Sequence, residues 1–94
     1  MRVLGREKLI KFCRKHVNTK GAIDAWFIEI ECADWQTSHD IKSRYPSADF
    51  LANNRVIFNI KGNHYRLVVR VRYQHGVVLV EWVGTHAEYD KKTF

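Results

Sequence analysis

The strongest constraint on the fold is the stretch Arg55–Asp90, RVIFNIKGNHYRLVVRVRYQHGVVLVEWVGTHAEYD. Successive side chains of a strand point to opposite faces, so hydrophobicity with a period of two specifies a strand with one buried face. Val56, Phe58 and Ile60 alternate with Arg55, Ile57 and Asn59, and Leu67, Val69, Val71 and Tyr73 alternate with Arg66, Val68, Arg70 and Arg72. Between the two runs, Lys61-Gly62-Asn63 has hairpin chemistry, because glycine takes a positive φ without steric cost. Gln74-His75-Gly76 supplies a second turn. Val77–Val83 is apolar enough to be a central strand buried on both sides over most of its length, and Gly84 should end it. Three arginines of the middle strand therefore share one face of an antiparallel meander whose other face needs a covering layer.

The preceding segments can supply that layer. Val3 and Leu4 before Gly5 allow a short edge strand. Leu9, Ile10, Phe12, Cys13 and Val17 recur at helical spacing over Arg6–Val17, with Arg6, Lys8, Lys11, Arg14 and Lys15 on the rest of the surface. After the turn chemistry of Asn18-Thr19-Lys20-Gly21, the residues Ala22, Ile23, Trp26, Phe27, Ile30 and Ala33 predict a second helix ending near Asp34. The two pair as a helical hairpin. A short third helix, capped by Thr37 or Ser38 with Asp40 in its first turn, ends at Pro46. Ser47–Asn54 then connects to the sheet, with Phe50 and Leu51 tucked onto the core and Asn53-Asn54 as a turn. One α+β domain spanning residues 1–94 is expected: an antiparallel sheet packed against an N-terminal helical hairpin.

Charge is unevenly placed. Residues 55–94 carry seven Lys and Arg against three Asp and Glu, a surplus of +4 out of the +6 of the whole chain. A basic sheet favours phosphate backbones through counterion release, or an acidic protein segment through steering. No apolar run approaches the roughly 18 residues that mark a membrane-spanning helix, and no signal-peptide core follows Met1-Arg2, so a cytoplasmic chain without membrane contact is expected. Cys13 and Cys32 stand apart, which argues against a disulfide framework and places both on buried helix faces as small hydrophobes. His16, His39, His64 and His75 have no metal-ligand spacing with one another or with the cysteines, so neither a metal nor another cofactor is expected.

The end of the meander holds a polar cluster. Thr85 and Glu88 form a capping-box pattern that starts a short terminal helix and sets His86 and Tyr89 one helical turn apart on one side. Arg66 can clamp a phosphate, since its fork of donors fits a pair of phosphate oxygens at any relevant pH. His86 is of the residue type suited to moving a proton as general acid or base, and Tyr89 can stack on a base or donate to phosphate. Arg70 shares the face of Arg66 as a sheet-surface contact.

These residues carry a family resemblance. Trp35, Tyr45-Pro46-Ser47-Ala48-Asp49, Arg55-Val56-Ile57-Phe58-Asn59-Ile60, Gly62-Asn63-His64-Tyr65-Arg66-Leu67 and Val83-Gly84-Thr85-His86-Ala87-Glu88-Tyr89-Asp90 together resemble the HigB toxins, mRNA interferases of bacterial toxin–antitoxin systems in the wider RelE-like group. The resemblance implies a RelE-like α+β sandwich and a metal-independent endoribonuclease that cuts mRNA, typically on the ribosome. It also implies a cognate HigA-like antitoxin with a helix-turn-helix domain, so that DNA is met only through the antitoxin. Catalysis falls to Arg66, His86 and Tyr89. Many RelE-like enzymes carry lysines on the strand before the Gly-x-Tyr-Arg segment, whereas this chain has Asn59 there and offers only Lys61, in the turn, as a provisional base. Arg55, Asn59, Asn63, Arg70, Lys91, Lys92 and Lys42 are the further candidates for holding RNA. The competing reading from a different class is a basic RNA- or protein-binding module without catalysis.

Overall fold

The computed structural model describes residues 1–94. The chain forms β1 (Arg2–Leu4), α1 (Arg6–Lys15), α2 (Lys20–Cys32), α3 (Ser38–Arg44), β2 (Asp49–Leu51), β3 (Arg55–Ile60), β4 (Tyr65–Arg72), β5 (Val77–Thr85) and α4 (His86–Asp90), with 3₁₀ turns at Val17–Thr19 and Tyr73–His75. The strands make one five-stranded sheet in the order β1-β5-β4-β3-β2. The meander predicted from the two-residue periodicity is its centre, with antiparallel β3–β4 and β4–β5 pairs. The sheet is mixed rather than wholly antiparallel, because β1 pairs parallel to β5 after the chain crosses over through the helices and the meander. A second edge strand, β2, pairs with β3 where only a connection was expected. Three residues are too few for a periodicity to be legible.

The helices cover one face. Leu9 and Phe12 of α1, Ile23, Trp26 and Ile30 of α2, and Ile41 of α3 are buried against Val56, Phe58, Ile60, Leu67, Val69, Val71, Val78 and Val80 of the sheet. Trp26, Trp35 and Tyr45 all pack their rings around Phe58, with centroids at 5.5, 6.2 and 5.0 Å. Each fully buried aliphatic or aromatic side chain contributes about 1.5–3 kcal/mol, so this layer carries most of the fold's stability. α1 and α2 touch through the Arg6 guanidinium, 4.4 Å above the Phe27 ring. β1 is an exposed edge, and its Val3 N–H is satisfied by the Glu31 carboxylate at 2.8 Å. No helix is long and apolar enough to cross a membrane.

Several local expectations are corrected. α1 stops at Lys15, and Val17 begins a 3₁₀ turn instead of a last helical residue. Phe50 is 39% exposed, and Lys42 lies 5.9 Å from its ring, so it is an edge-strand residue and not a core plug. Cys13 is half-buried and Cys32 is exposed. β5 is a central strand, but Leu79 on its second face is 39% exposed, because no helix covers that side.

Gly84 does not end β5, which continues to Thr85. A Cβ at this position would lie 2.5 Å from the Cη2 and Cζ2 atoms of Trp82, so the glycine is there to admit the indole. At the other end of the molecule, Gly5 joins β1 to α1 at φ +83°, and a Cβ there would sit 2.8 Å from the Val80 carbonyl oxygen. Both faults of a side chain, the left-handed φ and the backbone clash, coincide. Gly5→Ala should therefore destabilise the protein by roughly 1–3 kcal/mol, read as a lowered urea midpoint at unchanged m-value.

A candidate nucleic-acid interface on the open face of the sheet

The face of the sheet away from the helices is built around a short apolar strip. Ile57 and Val68 are opposite each other in the β3–β4 register, and both are essentially inaccessible. Arginine stems flank them, and Trp82 is the register partner of Val68 on β5. Long basic side chains cover apolar surface with their methylenes while the charged heads stay in water.

The placement of Trp82 depends on a bulge. Val68 pairs with Trp82 but Val69 pairs with Val80, which leaves Glu81 as one extra residue in β5. The bulge reverses the alternation, so Val78, Val80 and Val83 face the core while Trp82 joins the arginine face. Glu81 itself neutralises a like-charge pair. Arg55 and Arg70 stand directly opposite each other; Arg55 Nε donates to Glu81 Oε1 at 2.9 Å, and Arg70 Nε lies 3.3 Å from Oε2. Two of the face's cations are thereby tied to one carboxylate.

Arg66 is different. Its side chain is 16% exposed, and its partners converge from two elements, α4 and β2. Nη2 donates to His86 Nε2 at 2.9 Å, Nη1 lies 3.7 Å from Asp49 Oδ2, and Cζ sits 5.0 Å from the centroid of Tyr89. His86 Nδ1 is in turn 3.2 Å from Asp90 Oδ2. Because guanidinium can only donate, the contact requires an unprotonated Nε2, so the imidazole proton resides on Nδ1, the nitrogen nearer Asp90. The arrangement thus presents a neutral histidine whose basic nitrogen is held beside a fixed positive charge. Next to it, the buried Arg66 Nε and the buried Asn59 Oδ1 have no protein partner, and these two residues are opposite each other in the register.

α4 carries half of this group. Its first turn is closed by the capping box: Glu88 N donates to Thr85 Oγ1 at 3.1 Å, and Thr85 N donates to Glu88 Oε1 at 2.8 Å. Those bonds hold the Glu88 carboxyl below the usual carboxylate range. The amide of His86 also donates to the His64 carbonyl at 3.0 Å, which fastens α4 to the β3–β4 turn.

Of the residues singled out in the sequence, Arg66, His86 and Tyr89 come together, and Asn59 adjoins them with its amide donating to the Ser47 carbonyl at 3.1 Å. Lys61 does not. Its φ of +54° turns it out of the sheet, and its ammonium donates to the Asn18 carbonyl at 3.0 Å, on the helical side. Lys42 donates to the Ala48 carbonyl at 2.8 Å, so it stabilises the connection into β2. Asn63 and Lys91 are exposed, and Lys92 lies 5.9 Å from the Trp82 ring. Asp49, Asp90 and Trp82 join this face without being among the candidate site residues of the sequence. Asp90 was legible from its i, i+4 spacing to His86, whereas Asp49 and Trp82 depend on strand pairing and a bulge that no local pattern announces. No three His, Cys, Asp or Glu side chains gather as a metal site.

Residues 19–92 match the HigB toxin family, described as the RelE-like toxic component of a toxin–antitoxin system. The chain belongs to this family. The match covers every element from α2 to α4, including the whole arginine face, and leaves β1 and α1 outside it. Comparison with curated protein sequences gives no match. Membership makes the chain a toxin of such a system with a cognate antitoxin as partner, and its α+β architecture agrees with a RelE-like fold.

In this HigB-family chain the capping box positions His86, Tyr89 and Asp90 at once. Thr85→Ala should cost about 1 kcal/mol of stability in urea unfolding. The lowered Glu88 value gives the sign of the pH dependence: its contribution is complete above the unfolded carboxyl value of about 4.3 and is lost as pH falls through the lower folded value. Glu88→Gln should flatten the acid limb of the stability profile.

Proposed function

We propose that this toxin is a metal-independent endoribonuclease that cuts mRNA, on the translating ribosome, and that a HigA-like helix-turn-helix antitoxin silences it. The observation that carries this reading is the Arg66–His86–Asp90 chain, a fixed cation in contact with a base whose tautomer is set. Together with the family match it favours catalysis over a merely basic surface.

In this reading a phosphodiester oxygen takes the place of His86 Nε2 on the Arg66 fork, and the free Nε–H of Arg66 supplies a second donor on the same side. His86 Nε2 then accepts the proton of the 2′-hydroxyl, which attacks the adjacent phosphorus. Asp90 stabilises the imidazolium that forms. Arg66 stabilises the added negative charge of the phosphorane, the departing 5′-oxygen takes its proton from water at this open surface, and a 2′,3′-cyclic phosphate remains. Tyr89 holds the Arg66 plane with its ring and orients a neighbouring base by stacking. Lys61 has no role in the proton transfer, because its ammonium is engaged on the other side of the sheet. Asn59, Asn63, Lys91 and Lys92 line the approach of the strand. Arg55 and Arg70 serve as weaker contacts, since Glu81 offsets them. The site of action is the bacterial cytoplasm, where mRNA and ribosomes are.

RNA cleavage with and without ribosomes, in EDTA, tests the reading. Arg66→Ala should lower the rate about 10²–10³-fold and His86→Ala about 10²–10⁴-fold. Asp90→Asn should lower the rate constant more than it weakens RNA binding, since it acts through His86. Undiminished cleavage by the Arg66→Ala/His86→Ala double variant would sink the proposal, and RNA binding without cleavage by the parent would return it to a binding module.

A further inference from the structure

Of the aromatic cluster beside the arginine site, only Tyr89 enters the chemistry above; Trp82 and Phe94 have no part in it. Trp82, Tyr89 and Phe94 form a triangle of rings: Tyr89 and Phe94 are stacked at 5.6 Å with 16° between planes, Phe94 meets Trp82 edge-on at 5.8 Å, and Trp82 lies 6.1 Å from Tyr89. Cations flank it on two sides, Lys92 at 5.9 Å from the Trp82 ring and Arg66 at 5.0 Å from Tyr89. Two backbone features place the indole here. The bulge at Glu81 turns Trp82 onto the arginine face, and Gly84, with no Cβ, leaves the space into which the ring extends.

A tryptophan kept on the open face, when Trp26 and Trp35 are 4% and 6% exposed in the core, is more than cover for Val68. Its other side lines a depression of about 320 Å³ between β5 and α1 that Lys8, Lys11 and Lys15 also line; Lys8 donates to the Glu81 carbonyl at 3.2 Å, which leaves Lys11 and Lys15 as its free cations. Glu81 and Glu88 also line it, but the first is tied to Arg55 and Arg70 and the second to the Thr85 amide. A flat ring flanked by a row of lysines is the pairing that holds single-stranded nucleic acid: stacking takes the base and the lysines take the phosphates. Phe94, meanwhile, is 38% exposed, and no hydrogen bond holds it or Thr93. Its ring rests on Tyr89 in the parallel geometry a nucleobase would adopt.

We infer that Trp82 and Tyr89 form a slot for one unpaired nucleobase of the RNA, with its backbone running toward the lysines of α1, and that the Phe94 ring fills this slot until RNA displaces it. The inference rests on the RNA-cleaving reading and adds a base-binding subsite to it.

Fluorescence titration of the full chain, in the cleavage-deficient His86→Ala background, with a short single-stranded oligoribonucleotide tests it. Trp82 is the one tryptophan outside the core, so its emission reports the slot. The intact oligonucleotide should quench that emission, and one of the same length with abasic sites should bind through phosphates without quenching. Trp82→Leu should weaken binding roughly tenfold or more, and Trp82→Phe should retain most of it. Phe94→Ala should have the opposite sign and tighten binding about threefold or more, because it removes the competitor for the slot. Unchanged affinity in Trp82→Leu, equal quenching by the abasic strand, or weakening by Phe94→Ala would overturn the inference. If Arg66→Ala abolishes binding while Trp82→Leu does not, the slot is wrong and the phosphate site stands. If no oligonucleotide binds any variant and the parent cleaves no RNA, both are wrong.

Discussion

A single extra residue in β5 decides which side chains can meet Arg66. Without the bulge at Glu81, strict alternation would send Trp82 toward the helices together with Val78 and Val80 and bring Val83 out beside the arginines. With it, the apolar residues stay inward on both sides of the irregularity, and the same insertion delivers a carboxylate to the point where Arg55 and Arg70 would otherwise repel each other. One local departure from regular pairing thus satisfies packing on one face and electrostatics on the other. It also leaves Arg66 as the arginine of the sheet whose neighbours are titratable groups of other elements instead of a single dedicated counter-ion.

The contrast among the arginines of β4 follows from this. Arg70 is compensated within the sheet, Arg72 is exposed near the turn, and Arg66 is three-quarters or more enclosed with its charge only partly met by a carboxylate 3.7 Å away. A guanidinium that is held in place but incompletely neutralised is organised for an incoming anion before the anion arrives, so little of the binding energy is spent on ordering it. Asp49 and Asp90 are mostly exposed and occupy the rim, where they tune the position of Arg66 and His86 without cancelling the charge at the centre.

The regular part of this architecture was legible in the sequence because regularity is what periodicity records. Val56-Phe58-Ile60 and Leu67-Val69-Val71 fixed two strands and their faces, Trp26 and Ile30 fixed a buried helix side, and Thr85 with Glu88 announced the cap of α4. What escaped depends on interruptions. The faces of Trp82 and Val83 are set by the bulge, β2 is too short to show alternation, and Gly84 reads as a breaker when its role is to admit a ring two residues before it. The site divided in the same way: Arg66, His86 and Tyr89 could be named from local pattern, but the engagement of Lys61 by Asn18, 43 residues earlier, is a tertiary contact that residue type alone does not encode. The lysine that the family resemblance implies therefore has no counterpart beside Arg66, and in the proposed reaction the proton falls to the histidine–aspartate pair.

α4 has only five residues and contributes no buried side chain, being fastened by a capping box, one amide bond to the β3–β4 turn and the exposed-side contacts of His86 and Tyr89 with Arg66 and Trp82. An element of that kind opens at a free energy far below that of global unfolding. The histidine, the tyrosine and the aspartate would leave together while Arg66 stayed in the sheet. The two halves of the face therefore belong to different cooperative units, and whatever clamps or releases this single turn acts on all three side chains without disturbing the core.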